Sequence, residues 1–198
     1  MASAEARVAA AAVLSRAAFV LLAVLSDYLV ADYDTSSDLV YSGPGSSLVR
    51  WDAVHMLAIA RGGGYSFEQQ YAFFPLLPMA LRALGALFGD SVTASVLAGI
   101  VFSNACFVAA AVALVKLGRR ELRDEQLAFV AGILFCLTPG GVFLTSLYTE
   151  APMALFVFAG LLARSHQRPF LAAILFGLGS LTRGNGIFFA GFFAYDLL

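Results

Sequence analysis

The stretch "VAAAAVLSRAAFVLLAVLSDYLV", from Val8 to Val30, decides the class of fold. It exceeds the roughly 20 apolar residues that a helix needs to cross a bilayer. It is also longer than the core of a signal peptide and has no clear small-residue cleavage site, so we interpret it as an uncleaved signal anchor. Arg16 lies inside the stretch, and we expect its side chain to extend toward the nearer membrane surface.

The composition of the 198-residue chain indicates a membrane protein. Only 13% of its residues are charged and 61% are hydrophobic, whereas a soluble domain carries about 25% charged residues. The net charge of −1 provides no basic surface for a nucleic acid partner. Cys106 and Cys136 both lie in apolar runs, which is typical of packing residues. No cluster of histidine and cysteine predicts a metal site.

Two further apolar regions differ in character. Val92–Leu117 predicts a second membrane span. Phe73–Phe88 is shorter and is interrupted by prolines, so it predicts an interfacial or re-entrant helix. The polar and acidic residues from Asp32 to Gln70 predict a loop outside the membrane.

The last third of the chain predicts helical hairpins. Leu127–Ala163 is long enough for two spans, and Pro139 with the two glycines after it marks the turn between them. Phe170–Leu198 repeats this pattern and is interrupted by "TRGNG" at Thr182–Gly186.

Three basic clusters predict the orientation of the chain. They lie at Arg7, at Lys116–Arg123 and at Arg164–Arg168. The positive-inside rule places all three on the cytoplasmic side. The polar loop, the residues around Glu150 and "TRGNG" then share the opposite, luminal face. We therefore expect one membrane domain over residues 1–198, whose first luminal loop spans about residues 32–91 and carries short interfacial helices.

The stretch "RWDAVHMLAIARGGGY" predicts a short helix from Trp51 to Arg61 that ends at Gly62. Asp52 then lies in the first turn, where a carboxylate can cap the helix, and spacing alone favours this interpretation. The functional alternative is a general base at the boundary between lipid and water. In that case Trp51 would stack on a sugar or insert among the lipid head groups.

Glu150 and Arg183 are ionisable residues within the later apolar runs. An ionisable group in a membrane segment is costly and indicates a functional site. Arg183 suits an anionic phosphate. The structural alternative is an ion pair between Arg183 and Glu150 that joins the two hairpins.

Four motifs follow one another along the chain: Trp-Asp, an aromatic-Phe-Pro-x-x-Pro run, Tyr-x-Glu and Arg-x-Asn-Gly. They lie in "RWDAVHMLAIARGGGYSFEQQYAFFPLLP", "TPGGVFLTSLYTEAPMALFVFAGLLAR" and "LFGLGSLTRGNGIFFAGFF". In this order the three stretches resemble segments of the GPI mannosyltransferase 2 family (phosphatidylinositol-glycan class V type). The resemblance extends over nearly the whole chain from Val49 onward.

The resemblance implies a GT-C-type glycosyltransferase, which is an all-α polytopic membrane protein with a transmembrane helix bundle in the endoplasmic reticulum membrane. The implied reaction adds the second mannose, α1,6-linked, to a GPI precursor on the luminal side. The implied donor is dolichyl-phosphate mannose, and no cofactor or metal is implied. The implied partners are these two lipid-linked substrates and membrane lipids, and the resemblance leaves open a small membrane accessory subunit.

The resemblance also assigns roles to five residues of this sequence. Asp52 corresponds to the acid that GT-C enzymes use as catalytic base. The implied substrate-binding residues are Trp51, Glu150, Arg183 and Asn185. Arg183 would stabilise the departing phosphate.

Other functions remain open from the residues themselves. The chain could be another membrane glycosyltransferase that uses a polyprenyl-phosphate sugar, since the sequence does not identify the sugar. It could also be a non-catalytic membrane subunit or half of a transporter, although no internal repeat is visible. Family members continue beyond the Arg-x-Asn-Gly segment. We therefore expect the chain, which ends at Leu198, to be a fragment, a truncated gene product or a short isoform.

Overall fold

The computed structural model describes residues 3–32 and 34–196, and within these ranges the chain is helical with no β-strand. The α-helices are α1 Ala4–Leu29, α2 Asp52–Arg61, α3 Leu76–Leu87, α4 Val92–Leu122, α5 Glu125–Cys136, α6 Glu150–Ser165, α7 Pro169–Thr182 and α8 Gly191–Tyr195. Short 3₁₀ segments lie at Ser36–Leu39, Ser46–Leu48, Glu68–Ala72 and Gly184–Ala190. The predicted all-α class is confirmed.

The helices α1 and α4, with 26 and 31 residues, are long and apolar enough to cross a membrane. They contain the two predicted spans, except that α1 ends one residue before Val30. Each helix begins at a serine that caps it. The Ser3 hydroxyl accepts a hydrogen bond from the Ala6 amide, and the Ser91 hydroxyl accepts one from the Ala94 amide. A larger share of α4 than of α1 is buried, so α4 lies in the middle of the bundle and α1 at its edge.

Polar contacts define one end of the bundle, which we call the basic end. Arg119, in the last turn of α4, pairs with Glu5 in α1 and with Glu125 in α5. Arg120 donates a hydrogen bond of 2.7 Å to the Ser165 carbonyl at the end of α6. The predicted basic clusters therefore meet at one end. The opposite end, where α1 and α7 finish and α2 and α6 begin, is called the site end.

The short helices α2 and α3 rest against α4 at the site end. Their shared apolar cluster includes Leu57, Leu77, Leu81, Val96 and Leu147. With 12 residues, α3 is too short to cross a bilayer, which agrees with the prediction for Phe73–Phe88. The helix predicted to start at Trp51 begins one residue later, at Asp52.

The two spans predicted within Leu127–Ala163 correspond to α-helices that are shorter than expected. The helices α5 and α6 have only 12 and 16 residues, and the irregular segment 137–149 separates them. Pro139 lacks an amide N–H and helps to end the helical pattern. The hydroxyls of Thr145 and Ser146 then donate to carbonyls within the segment, at Gly141 and Val142. The helical hairpin itself is confirmed.

The prediction that Arg16 extends toward a membrane surface is wrong. Its side chain is 3% exposed and lies inside the bundle. The guanidinium donates hydrogen bonds of 2.7 Å to the Gly141 carbonyl and 2.8 Å to the Thr145 hydroxyl. It also lies 3.8 Å from the centre of the Phe107 ring, which adds a cation–π contact. Irregular backbone in an apolar interior needs such partners, and Arg16 fastens segment 137–149 to α1.

Replacement of Arg16 by leucine should destabilise the fold, because the Gly141 carbonyl and the Thr145 hydroxyl lose a buried donor. A hydrogen bond from a charged group contributes about 1.5–3 kcal/mol, so we expect a lower midpoint of thermal unfolding in detergent. Arg82→Leu is the matched control, since Arg82 is exposed on α3 and forms no ion pair within the described ranges. Equal midpoints for the two variants would contradict the fastening role.

Candidate active site

The helix α2 begins after a strained residue. Trp51 has φ +49° and ψ −117°, a conformation that glycine adopts far more easily than other residues. Across this turn the Arg50 carbonyl accepts a hydrogen bond of 3.1 Å from the Ala53 amide. Strain of this kind costs about 1–3 kcal/mol and is concentrated at functional sites. The Trp51 side chain is 68% exposed.

Asp52 is the first residue of α2, so it lies inside the helix and not at the capping position before it. Its side chain is exposed, and it makes no hydrogen bond or ion pair with any residue that the structure describes. The predicted capping interaction is therefore not observed. Asp52 thus has the open oxygen atoms that a general base needs.

Tyr148 lies near both Asp52 and Glu150. Its hydroxyl donates a hydrogen bond of 3.0 Å to the carbonyl of Arg50, which also closes the turn at Trp51. Burial raises the pKa of Tyr148, and the nearby charges of Asp52 and Glu150 raise it further. The hydroxyl therefore stays protonated between two carboxylates. The Tyr-x-Glu motif pointed to this residue in the sequence but gave no role for it.

An ion pair joins two of the predicted site residues. Arg183, directly after α7, pairs with Glu150 in the first turn of α6, which is the contact of the structural alternative. The Arg183 side chain keeps 40% exposure and that of Glu150 keeps 33%, so part of the guanidinium stays open. The neighbouring Gly184 lies against Phe74, and a Cβ atom there would be 3.1 Å from the ring. Asn185 is exposed in the 3₁₀ segment that follows.

Aromatic rings bring the motifs together at the site end. The centroid of the Phe143 ring lies 6.3 Å from that of Trp51, and Phe143 stacks on Tyr148 with a centroid distance of 5.4 Å. The His55 ring stacks on Phe73 at 5.0 Å. Contacts between rings therefore link α2 to segment 137–149 and to the residues before α3.

Arg50 ties the end of α1 to the start of α2, and it was not among the predicted site residues. Its guanidinium lies 2.6 Å from Asp27, 2.7 Å from Asp32 and 3.3 Å from Asp38. Because Arg50 directly precedes Trp51, these pairs hold the strained turn in place. The acidic character of the loop was visible in the sequence, but the choice of carboxylates that meet the guanidinium depends on the fold.

A cleft of about 1020 Å³ opens beside Trp51 and Tyr148. One wall is the second half of α1, from Phe19 to Val30, and the opposite wall comes from the start of α2 and from residues 142–148. The loop after α1 lines one end. We call this space the α1 cleft.

These features define the class: an all-helical chain with two helices of membrane-spanning length and a candidate catalytic site at one end of its bundle. Residues 6–198 match the family described as mannosyltransferase (PIG-V). The chain belongs to this family, and the resemblance found in its motifs is confirmed.

Curated relatives carry names that agree with the family. The chain is 31% identical to GPI mannosyltransferase 2 of Chaetomium globosum, over 91% of this chain and 48% of the relative. It is 38% identical to GPI alpha-1,6-mannosyltransferase 2 of Rattus norvegicus, over 75% of this chain and 31% of the relative. For GPI mannosyltransferase 2 of Yarrowia lipolytica the identity is 32%, over 90% and 51%. The chain spans about half the length of these relatives or less, and no solved structure matches it.

The variants Trp51→Gly and Trp51→Ala should separate backbone strain from side-chain contacts. Both remove the indole ring, but only glycine adopts φ +49° without strain. We expect the glycine variant to be more stable than the alanine variant by about 1 kcal/mol, measured by unfolding in detergent. A glycine variant no more stable than the alanine variant would show that the turn is not strained.

Proposed function

We propose that this protein transfers the second mannose, in α1,6 linkage, from dolichyl-phosphate mannose to a GPI precursor. The observation that carries the proposal is the free Asp52 carboxylate at the site end, and membership of the mannosyltransferase (PIG-V) family supports it. We further propose a multi-pass membrane domain of GT-C type over residues 1–198 in the endoplasmic reticulum membrane. The site end faces the lumen and the basic end the cytoplasm.

Asp52 acts as the general base in this proposal. Its carboxylate takes the proton from the acceptor hydroxyl, and the hydroxyl oxygen attacks the anomeric carbon of the donor mannose. The bond from that carbon to the phosphate oxygen breaks, its electron pair leaves with the phosphate, and the β-linkage inverts to α. The exposed face of Trp51 lets a sugar ring stack beside the base.

Arg183 stabilises the departing phosphate. Glu150 holds one part of its guanidinium, and the exposed part keeps N–H donors for phosphate oxygens. Asn185, two positions along, presents an exposed amide that can donate to the same group. The proposal includes no cofactor or metal, because the leaving group is a lipid monophosphate and not a diphosphate.

Complementation of cells that lack the second GPI mannosyltransferase tests the function. One plasmid carries this chain alone, and another carries a chimera in which the chain replaces the matching part of the Rattus norvegicus relative. Return of GPI-anchored proteins to the cell surface with the chimera would support the proposal. A chimera that reaches the membrane but transfers no mannose to a singly mannosylated GPI precursor in microsomes would contradict it.

Asp52→Asn in the chimera should lower the rate of mannose transfer by about 10²–10⁴-fold, the usual contribution of a positioned general base. The amide keeps the shape of the side chain but accepts no proton at neutral pH. Protein level and membrane insertion should stay normal. Glu68→Gln is the matched control, because Glu68 is another exposed acid of the first loop. Normal transfer by Asp52→Asn would remove Asp52 from the mechanism.

Exchange of the two charges, Glu150→Arg with Arg183→Glu, tests the role of the ion pair. The exchanged pair can still join α6 to α7, so protein level should recover relative to either single variant. Mannose transfer in microsomes should not recover, since a carboxylate then occupies the position proposed for phosphate binding. Full activity of the exchanged variant would limit the pair to a structural role.

A further inference from the structure

The α1 cleft runs along one face of α1. That wall includes Phe19, Leu22, Ala23, Ser26 and Val30. Positions 19, 22 or 23, 26 and 30 recur every three or four residues, so they share one side of the helix. From the first to the last of them the wall is about 16 Å long at the usual helical rise. The Leu22 side chain is 56% exposed, so this wall is open in the part of the chain that the structure describes.

The chemical character of the cleft changes along its length. The half nearer the middle of α1 is apolar, with Phe19, Leu22 and Ala23. The other half includes serines and the side chains of Asp32 and Asp34, and it ends beside the site. A ligand with a hydrocarbon chain and a polar head group fits such a gradient.

The polar half carries an excess of negative charge. The aspartates that line it are Asp27, Asp32 and Asp34. Arg50 faces them, but its guanidinium already pairs with two of them and with Asp38, so it has little capacity for another anion. The Ser36 amide donates a hydrogen bond of 2.8 Å to the Asp34 carboxylate and holds the pKa of Asp34 below its usual value. The nearby charge of Arg50 lowers the pKa of Asp34 further, but within the described residues Asp34 forms no ion pair, because the Arg50 guanidinium pairs with Asp27, Asp32 and Asp38.

We propose that the α1 cleft binds the acceptor lipid, a glycolipid whose glycan carries an ammonium group among hydroxyls, as an amino sugar does. Its hydrocarbon chain lies along the apolar half, its ammonium group lies against Asp34, and its terminal sugar reaches Trp51 beside Asp52. The identification of this lipid as the acceptor substrate rests on the function proposed above. The cleft disfavours the donor, because the donor phosphate has no ammonium group to balance it.

Native mass spectrometry of the purified chain in detergent measures this binding without requiring catalysis. The probes are a singly mannosylated GPI precursor with a free amine, its N-acetylated counterpart and dolichyl-phosphate mannose. Leu22→Trp fills the apolar half. Leu21→Trp is the matched control, because Leu21 is 58% exposed but does not line the cleft. Asp34→Asn removes the charge, while its amide oxygen can still accept from the Ser36 amide.

We expect the free-amine glycolipid to bind about tenfold more tightly than the N-acetylated one, as a charge-assisted hydrogen bond predicts. Asp34→Asn should abolish this preference. Leu22→Trp should weaken both glycolipids by roughly tenfold or more, since it removes space for their hydrocarbon chain. Leu21→Trp should leave the affinities for both glycolipids unchanged. Dolichyl-phosphate mannose should bind equally well to all the variants.

Equal binding of the two glycolipids, or equal effects of Leu21→Trp and Leu22→Trp, would overturn the proposal. Selective loss of dolichyl-phosphate mannose in Leu22→Trp would also overturn it, because the cleft would then belong to the donor. The Leu22→Trp and Leu21→Trp substitutions are also made in the chimera. If only Leu22→Trp prevents the chimera from accumulating, another part of the polypeptide packs into the cleft, and the proposal is overturned. The expected binding pattern without mannose transfer by the chimera would support this site and contradict the proposed function.

Discussion

The fold depends on satisfying an irregular backbone inside an apolar helix bundle. Segment 137–149 leaves the helical pattern between α5 and α6, and unpaired carbonyls in such surroundings cost several kcal/mol each. Arg16 reaches across from α1 to the Gly141 carbonyl and the Thr145 hydroxyl. Because the segment is held there, it can continue along the α1 cleft and present Tyr148 to the site. The position of the candidate active site thus depends on the Arg16 guanidinium, which lies outside that site.

The strained turn before Asp52 persists because contacts on both sides of it hold its backbone in place. The Arg50 carbonyl accepts hydrogen bonds from both the Ala53 amide and the Tyr148 hydroxyl. The Arg50 side chain is held by aspartates from α1 and from the first loop. Trp51 lies between these two anchors, so its unfavourable backbone angles are maintained. As a result, the free carboxylate of Asp52 lies beside the exposed indole of Trp51, and the contacts of Arg50 hold both residues in position.

Sequence patterns predicted the features that depend on local composition and period. They include the long helices α1 and α4 and the short α2 and α3. The ion pair between Glu150 and Arg183 entered only as the structural alternative to a phosphate-binding role. The wrong prediction, for Arg16, concerns contacts between distant residues. Nothing near Arg16 in the sequence reveals that segment 137–149 needs its guanidinium. In the same way, Tyr148 and Arg50 gain their roles only when the loop, α2 and the segment meet. Five site residues were predicted, and the fold brings Glu150 and Arg183 into contact and sets Asp52 near Tyr148.

The contact between Arg16 and Gly141 also has a consequence for the order of biogenesis. The two residues are 125 positions apart, and at usual rates of synthesis the second emerges roughly 6–25 s after the first. An arginine at the centre of a membrane helix disfavours insertion by about 2.5–3.5 kcal/mol. If α1 inserts as a membrane helix, its guanidinium must be hydrated or contact the insertion machinery until segment 137–149 has been synthesised. Docking of α1 onto segment 137–149 is therefore a late step in the synthesis and folding of the chain.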